Sequence, residues 1–411
     1  MELIIRNARL PDSPAGAPDI DIGIEGGRIV ALAPGLPAAA AEFDAGGRLV
    51  CAGFIETHIH LDKSCIIGRC APEIGREVAA VPRVAAVKPG FTVADVTERA
   101  ARTLRKCIAH GTTRMRTHVE VDPAIGLRGF DGVRAAAAAH AWAIDVEICV
   151  FPQEGLTGAP EVEALMVAAL RNGASVVGAA PGYDADPAGQ IRRVFALARA
   201  FDADIDMHLD LGDSAEHMDI HLVAELTEQY RLGGRVAVGH VTKLSRLPPP
   251  RLREIGRRLA DVGVAVTVLP ATDLFLMGRD QDHDVRRGVV DANALTEMGV
   301  NCSISTNNVL NPFTPYGDCS LLRMANLHAN VLQVSQPARL HDCFDMLTAR
   351  PARLMNLADY GIAVGNPADL VVLDAADPVQ AVAEIAHPLA AFKRGRRSLT
   401  RAAAVLHPPD D

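Results

Sequence analysis

Two histidines one residue apart, His58 and His60, stand in the run Phe54-Ile55-Glu56-Thr57-His58-Ile59-His60-Leu61-Asp62-Lys63. Apolar and polar residues alternate there after Gly53, as in a strand, and residues two apart in a strand project to the same side. Two imidazoles aimed at one point from a strand end can begin the coordination shell of a divalent metal. On their own they fit a pair of surface or hydrogen-bonded histidines equally well. His208, within Asp206-Met207-His208-Leu209-Asp210, and His240, closing Val236-Ala237-Val238-Gly239-His240, change that balance. Four histidines at converging strand ends supply a metal shell with a position left open for water.

The elements that must position these side chains can be read from the same text. Short apolar strands are predicted over 54–60, 114–119, 146–151, 175–180, 205–209, 236–240, 264–269 and 302–306. Between them, 93–110, 161–172, 190–201 and 221–232 carry apolar residues at three- and four-residue spacing, as amphipathic helices do. This alternation predicts an α/β fold, a closed (β/α)8 TIM barrel over 53–360, in which chemistry sits where strands end. An open doubly wound sheet would call for a glycine-rich phosphate loop, and the sequence shows none. Strand-like runs at Leu3-Ile4-Ile5, 19–24 and 28–32, and again at 365–374 and 389–395, predict that the two termini meet in a small β-sandwich, 1–52 with 361–411.

The chain has 411 residues, 41 Lys and Arg against 50 Asp and Glu, and a formal net charge of −9. That balance argues against a nucleic-acid surface, which needs clustered cations, and favours a small-molecule partner. Eight cysteines without a Cys-x-x-Cys pair suggest reduced thiols and a cytoplasmic location. No segment resembles a leader or a membrane span, so no membrane partner is expected.

Taken together, these motifs resemble the amidohydrolase superfamily and, within it, the cytosine deaminase-like branch. The likeness is carried by the His58–Lys63 run, Arg116-Thr117-His118-Val119-Glu120, Phe151-Pro152-Gln153-Glu154-Gly155, Asp206-Met207-His208-Leu209-Asp210, Gly239-His240, and Asn311-Pro312-Phe313-Thr314-Pro315-Tyr316-Gly317. The His-Leu-Asp-Lys-Ser run is also similar to that of enzymes that hydrolyse N-alkyl groups from triazine rings. What the resemblance implies is one divalent ion, zinc or iron, held by His58, His60 and His208, activating water for attack on a C–N centre. His240 would orient or polarise the attacked group. Gln153 would read the edge of a nitrogen heterocycle through its donor and acceptor. His118 is expected to support the ligands from behind, and a homo-oligomer is implied.

Two positions depart from the family pattern. Asn307, in Ser305-Thr306-Asn307-Asn308, stands where the family carries a metal-contacting aspartate that takes a proton from water. An amide oxygen can coordinate a metal, so Asn307 is carried as a fourth ligand with Asn308 beside it facing substrate, but an amide cannot be the general base. Leu211 stands three residues after His208, where cytosine deaminases place a proton-shuttling glutamate. Asp210, which shares strand parity with His208, is the nearest replacement relay, ahead of Asp213 and Glu216. Lys63 is not expected to form a carbamylated bridge, because that lysine lies on a later strand in the superfamily. The expectation is a metal-dependent hydrolase of a C–N bond in a small cyclic or N-substituted nitrogen compound, distinct from cytosine deaminase. The alternative is a degenerate barrel that binds a heterocycle without turning it over.

Overall fold

The computed structural model describes residues 1–14, 16–71, 79–402 and 404–407. Eight parallel strands form the barrel, in chain order Phe54–Ile59, Thr112–Glu120, Asp145–Phe151, Val176–Ala179, Asp204–Leu209, Val236–His240, Val264–Val268 and Cys302–Ile304, each paired with its sequence neighbour. All eight fall where alternating and apolar runs predict them. The eighth strand is only three residues long, so a backbone ladder alone cannot close the ring onto the first. Hydroxyls do much of the joining: Thr57 Oγ1 lies 2.9 Å from Ser303 and 2.7 Å from Ser305, and Ser305 Oγ accepts the Thr57 N–H. Just beyond, Asn307 N–H donates to His58 O at 2.8 Å and His60 N–H donates to Asn307 O at 3.0 Å. The closure therefore fixes the backbone of His58, His60 and Asn307 in one stroke.

The predicted helices are found at Val93–Ala109, Pro160–Arg171, Pro187–Phe201 and Ile220–Tyr230, with apolar faces on the barrel. Among the described residues no helix is long and apolar enough to cross a membrane. Outside the barrel lie two four-stranded sheets. One orders Arg28–Ala33, Ile20–Glu25, Leu3–Ala8 and Ala41–Asp44; the other orders Arg396–Thr400, Pro388–Lys393, Leu370–Leu373 and Val50–Ala52. Ile5, Ile22, Ile24, Val50, Leu370, Val372 and Phe392 share one buried core between them, so the termini do build a sandwich. The predicted C-terminal part extends to 403 and 408–411, which lie outside the described residues.

Lys393 docks the sandwich on the barrel. Its ammonium, buried, donates to Asp369 at 2.6 Å, to Asp145 at the start of the third barrel strand at 2.7 Å, and to Thr113 O at 3.0 Å. Replacing it with an apolar chain leaves Asp369 buried without its counter-ion, a loss of about 3–5 kcal/mol. Lys393→Met is expected to lower the unfolding free energy by that amount in urea titrations; a change below about 1 kcal/mol would mean the ion pairs do not hold the two parts together.

Candidate active site

The imidazoles of His58, His60 and His208 meet at the C-terminal mouth of the barrel. His208 Nε2 lies 3.0 Å from His58 Nε2 and 3.0 Å from His60 Nε2. An imidazole nitrogen has a single in-plane position, either a hydrogen or a lone pair, so His208 Nε2 cannot satisfy both contacts as hydrogen bonds. The Nδ1 atoms of all three are buried and have no hydrogen-bond partner among the described residues. Burial, followed for His58 and His208 by the charges neighbouring rings would carry and for His60 by the Lys63 ammonium, pushes His58 down to about 3 and His60 and His208 well below the usual histidine range. Three neutral imidazoles with converging nitrogens are the ligand form a divalent cation takes, and the donor set fits one. Gly239 makes room: a Cβ there would come within 3.0 Å of the His58 ring.

Behind the cluster, His118 stacks on His58 with ring centroids 3.8 Å apart. Asp206 Oδ1 lies 3.5 Å from His118 Nε2 and 3.8 Å from His58 Nδ1, and Arg116 donates to Asp206 Oδ2 at 3.0 Å. Burial pushes Asp206 up, yet His118, His58 and Arg116 hold it well below the carboxylate range, so it presents a negative charge to the back of the histidines. Such outer partners orient ligand rings and raise their basicity.

His240 is held from both sides. Its Nδ1 lies 2.6 Å from Asp273 Oδ1, and its Nε2 lies 3.3 Å from Asn307 Nδ2. A chain of amides fixes that polarity. Asn311 Oδ1 accepts the N–H groups of Phe313 and Thr314, so its nitrogen must face Lys63 O and Asn308 Oδ1. Asn308 then donates to Asn307 Oδ1 at 2.8 Å, and Asn307 turns its own nitrogen toward His240. Asn307, expected as an amide-oxygen ligand, thus has its oxygen engaged by Asn308 and acts as a donor. The acceptor it meets is His240 Nε2, so the His240 proton sits on Nδ1, against Asp273.

A cavity of roughly 240 Å³ opens over the cluster, lined among others by His60, His208, His240, Gln153, Asn308 and Asp219. Lys63 Nζ donates to Gln153 Oε1 at 3.1 Å, pairs with Glu120, and sits 4.4 Å over the Phe313 ring. An ammonium can only donate, so the Gln153 oxygen is turned to Lys63 and its NH2 group is left for a ligand. Asp210, expected as a proton relay, has both oxygens occupied: Oδ1 accepts Asp219 N–H at 2.9 Å and Oδ2 accepts Ile220 N–H at 3.0 Å. It fixes the start of the Ile220–Tyr230 helix. Asp213 pairs with Arg246 and, like Glu216, is exposed. Leu211 lines the cavity with an apolar surface, as does Leu276. Tyr183 and Gly182 form part of the lip as predicted from their place after the fourth strand.

Lys63, Asp273, Asp219 and Lys243 are contributors that sequence reasoning did not assign. Asp273 lies in the first turn of Pro270–Leu276, just past the seventh strand, and only that position signalled it. Lys63 was in view within the histidine run, but its partners Glu120 and Gln153 come from other strands.

A parallel eight-stranded barrel with a histidine cluster at its C-terminal mouth is the arrangement of a barrel enzyme, whose chemistry sits at the strand ends. The profile of the Amidohydrolase family matches residues 49–398, and the chain belongs to that family. It is 29% identical over 413 residues to N-isopropylammelide isopropyl amidohydrolase of Pseudomonas sp. (strain ADP), covering 96% of each. It is 27% identical to pterin deaminase of Rhizobium rhizogenes, over 88% of this chain and 84% of that one. Among solved structures, 5-methylcytosine deaminase from Klebsiella pneumoniae liganded with 5-fluorocytosine superimposes with a TM-score of 0.92 at 29% identity, over 99% of both chains.

Beside the pocket, Glu120 is buried between Lys63 and Lys88, and Lys88 Nζ lies 2.9 Å from it and 2.6 Å from Asp122. Burial raises Glu120, but the two ammoniums outweigh it and hold the carboxyl well below its ordinary value. A depressed folded-state pKa contributes stability that is complete above the unfolded-state value, near ~4.5, and is lost as pH falls through the folded one. Unfolding free energy should therefore drop by about 2–3 kcal/mol more in the native protein than in Glu120→Gln as pH falls below that value. Parallel curves would show that the pair does not ionise as described.

Proposed function

We propose that the protein hydrolyses the exocyclic carbon–nitrogen bond of a small nitrogen heterocycle bearing oxo or amino groups, using one divalent ion, zinc or iron. The observation that carries this reading is the convergence of three neutral imidazole nitrogens on the floor of a cavity whose wall offers oriented amides. His58, His60 and His208 would hold the ion. When bound it supplies Lewis acidity, which makes water a nucleophile near neutral pH.

The remaining work belongs to the side chains. Once the long 3.3 Å contact from Asn307 yields the Nε2 lone pair to the attacking water, His240 accepts a proton there, and Asp273 stabilises the imidazolium that forms by holding Nδ1–H. This replaces the carboxylate base lost at Asn307. The Gln153 NH2 group and the Asn308 amide orient the ring by donating to its oxo groups or ring nitrogens. Lys63 keeps Gln153 in that orientation. Because Leu211 cannot donate a proton to a ring nitrogen, cytosine itself is not the proposed substrate. The acceptor-rich rings named for the similar proteins, an oxo-triazine or a pterin, suit the donor-bearing wall better.

Protein stripped with a chelator and reloaded with zinc or ferrous ion should release amine or ammonia from at least one of N-isopropylammelide and pterin. His208→Ala should lower both ion content and turnover, the latter by at least about a hundredfold. Heterocycle binding without product in every metal state would contradict the proposal and favour a binding protein on a hydrolase scaffold.

A further inference from the structure

One carboxyl group lines the cavity and has been given no role. Asp219 directly precedes the helix Ile220–Tyr230, where an aspartate ordinarily accepts the N–H groups of the first turn. Here it does not: its backbone, at φ −73° and ψ −15°, is already helical, and its side chain makes no capping bond. Asp210 caps that helix from the end of the fifth strand instead, with Lys243 Nζ 3.4 Å from its Oδ1. The Asp219 carboxyl accepts no hydrogen bond and forms no ion pair among the described residues, and it is half-buried in the wall that also holds His60, His208 and His240.

We propose that Asp219 is the proton donor to the leaving nitrogen, taking the part left vacant where Leu211 stands. The inference rests on the hydrolysis proposed above. Water oxygen bonds to the ring carbon, the C=N electron pair moves onto the ring nitrogen, and one water proton passes to His240 Nε2. Asp219 then gives its proton to the exocyclic nitrogen as the C–N bond breaks, and the bonding pair leaves with a neutral amine. The adduct hydroxyl returns a proton to the Asp219 carboxylate as C=O forms, and His240 gives its proton to the ring nitrogen. Each group ends as it began.

The surroundings suit a donor. Burial and then the charge of Asp210 push Asp219 above the ordinary aspartate range, with Lys243 opposing. Tyr183, Lys63 and the histidines line the same cavity, and Asp210, the one other carboxylate among its lining residues, is engaged in capping the helix. Burial and the Asp210 charge both favour the acid form, the form a leaving amine requires.

The test compares the native enzyme, Asp219→Asn and Asp219→Glu on whichever amine-bearing heterocycle is turned over and on its analogue with chloride as the leaving group. Expected is a loss in kcat of at least about a hundredfold for Asp219→Asn on the amine, with KM within about threefold. The high-pH fall in kcat should disappear, Asp219→Glu should recover part of the rate, and chloride release should be little changed. Equal losses on both substrates, or none on either, would overturn the proposal. Infrared titration of the carboxyl band, native minus Asp219→Asn, needs no substrate: titration above the ordinary aspartate value supports the proposal, and titration at or below it overturns it. If no heterocycle is turned over, the hydrolysis reading fails by itself while that titration still decides the state of Asp219.

Discussion

The polarity of a short row of amides governs what this site can do. Two backbone N–H groups oblige Asn311 to present its nitrogen to Asn308. Each amide passes that direction to the next, until Asn307 delivers a donor to His240 Nε2. An aspartate in place of Asn307 would present an acceptor and draw the His240 proton to that nitrogen. The amide donates to the Nε2 lone pair and puts the proton against Asp273. The row of hydrogen bonds has only one consistent direction, and that direction sets the tautomer of His240.

The barrel fixes the groups at the ends of that row through uncommon backbone geometry. Asp210, His240 and Asn307, each at or just beyond a strand end, have φ of 49°, 71° and 63°, and Val241 follows at 44°. For non-glycine residues, and for a β-branched valine above all, such values are costly and persist only where the surroundings determine them. Here the surroundings are the strand-to-strand bonds and the capping of the next helix. His240 is turned into the cavity because Val241 N–H reaches back to Leu209 O at 3.0 Å. Asp210 is turned to the Ile220–Tyr230 helix, where it accepts the Asp219 and Ile220 N–H groups, which leaves the Asp219 side chain without a capping role.

Much of this was legible in the sequence, and the reasons differ by level. The eight strands were, because parallel strands buried on both faces leave near-continuous apolar runs such as Val264-Ala265-Val266-Thr267-Val268. The metal-type histidines were, because their positions at strand ends carry the signal without any long-range information. The strands Ala41–Asp44 and Val50–Ala52 were not, being short, and the first of them largely exposed. The roles of Asn307, Asp210 and Lys63 were not legible for a deeper reason. Residue type says what an amide or carboxylate can do, but its partners decide what it does. Those partners, Asn308 and His240, the start of the Ile220–Tyr230 helix, and Gln153 with Glu120, are set by tertiary packing. Asp219 carries no signal in the sequence, because its release from capping depends on Asp210, ten residues before the helix starts.

The location of the His240 proton is the most direct test of this account. In zinc-loaded protein carrying 15N-labelled histidine at neutral pH, with His240→Gln used for assignment, the ring nitrogens report which one is protonated. The account predicts a neutral ring protonated at Nδ1 with Nε2 bare, and a proton moved to Nε2 in Asn307→Asp. A proton on Nε2 of the native protein would contradict it, since His240 would then face the cluster as a donor and could not take a proton from water.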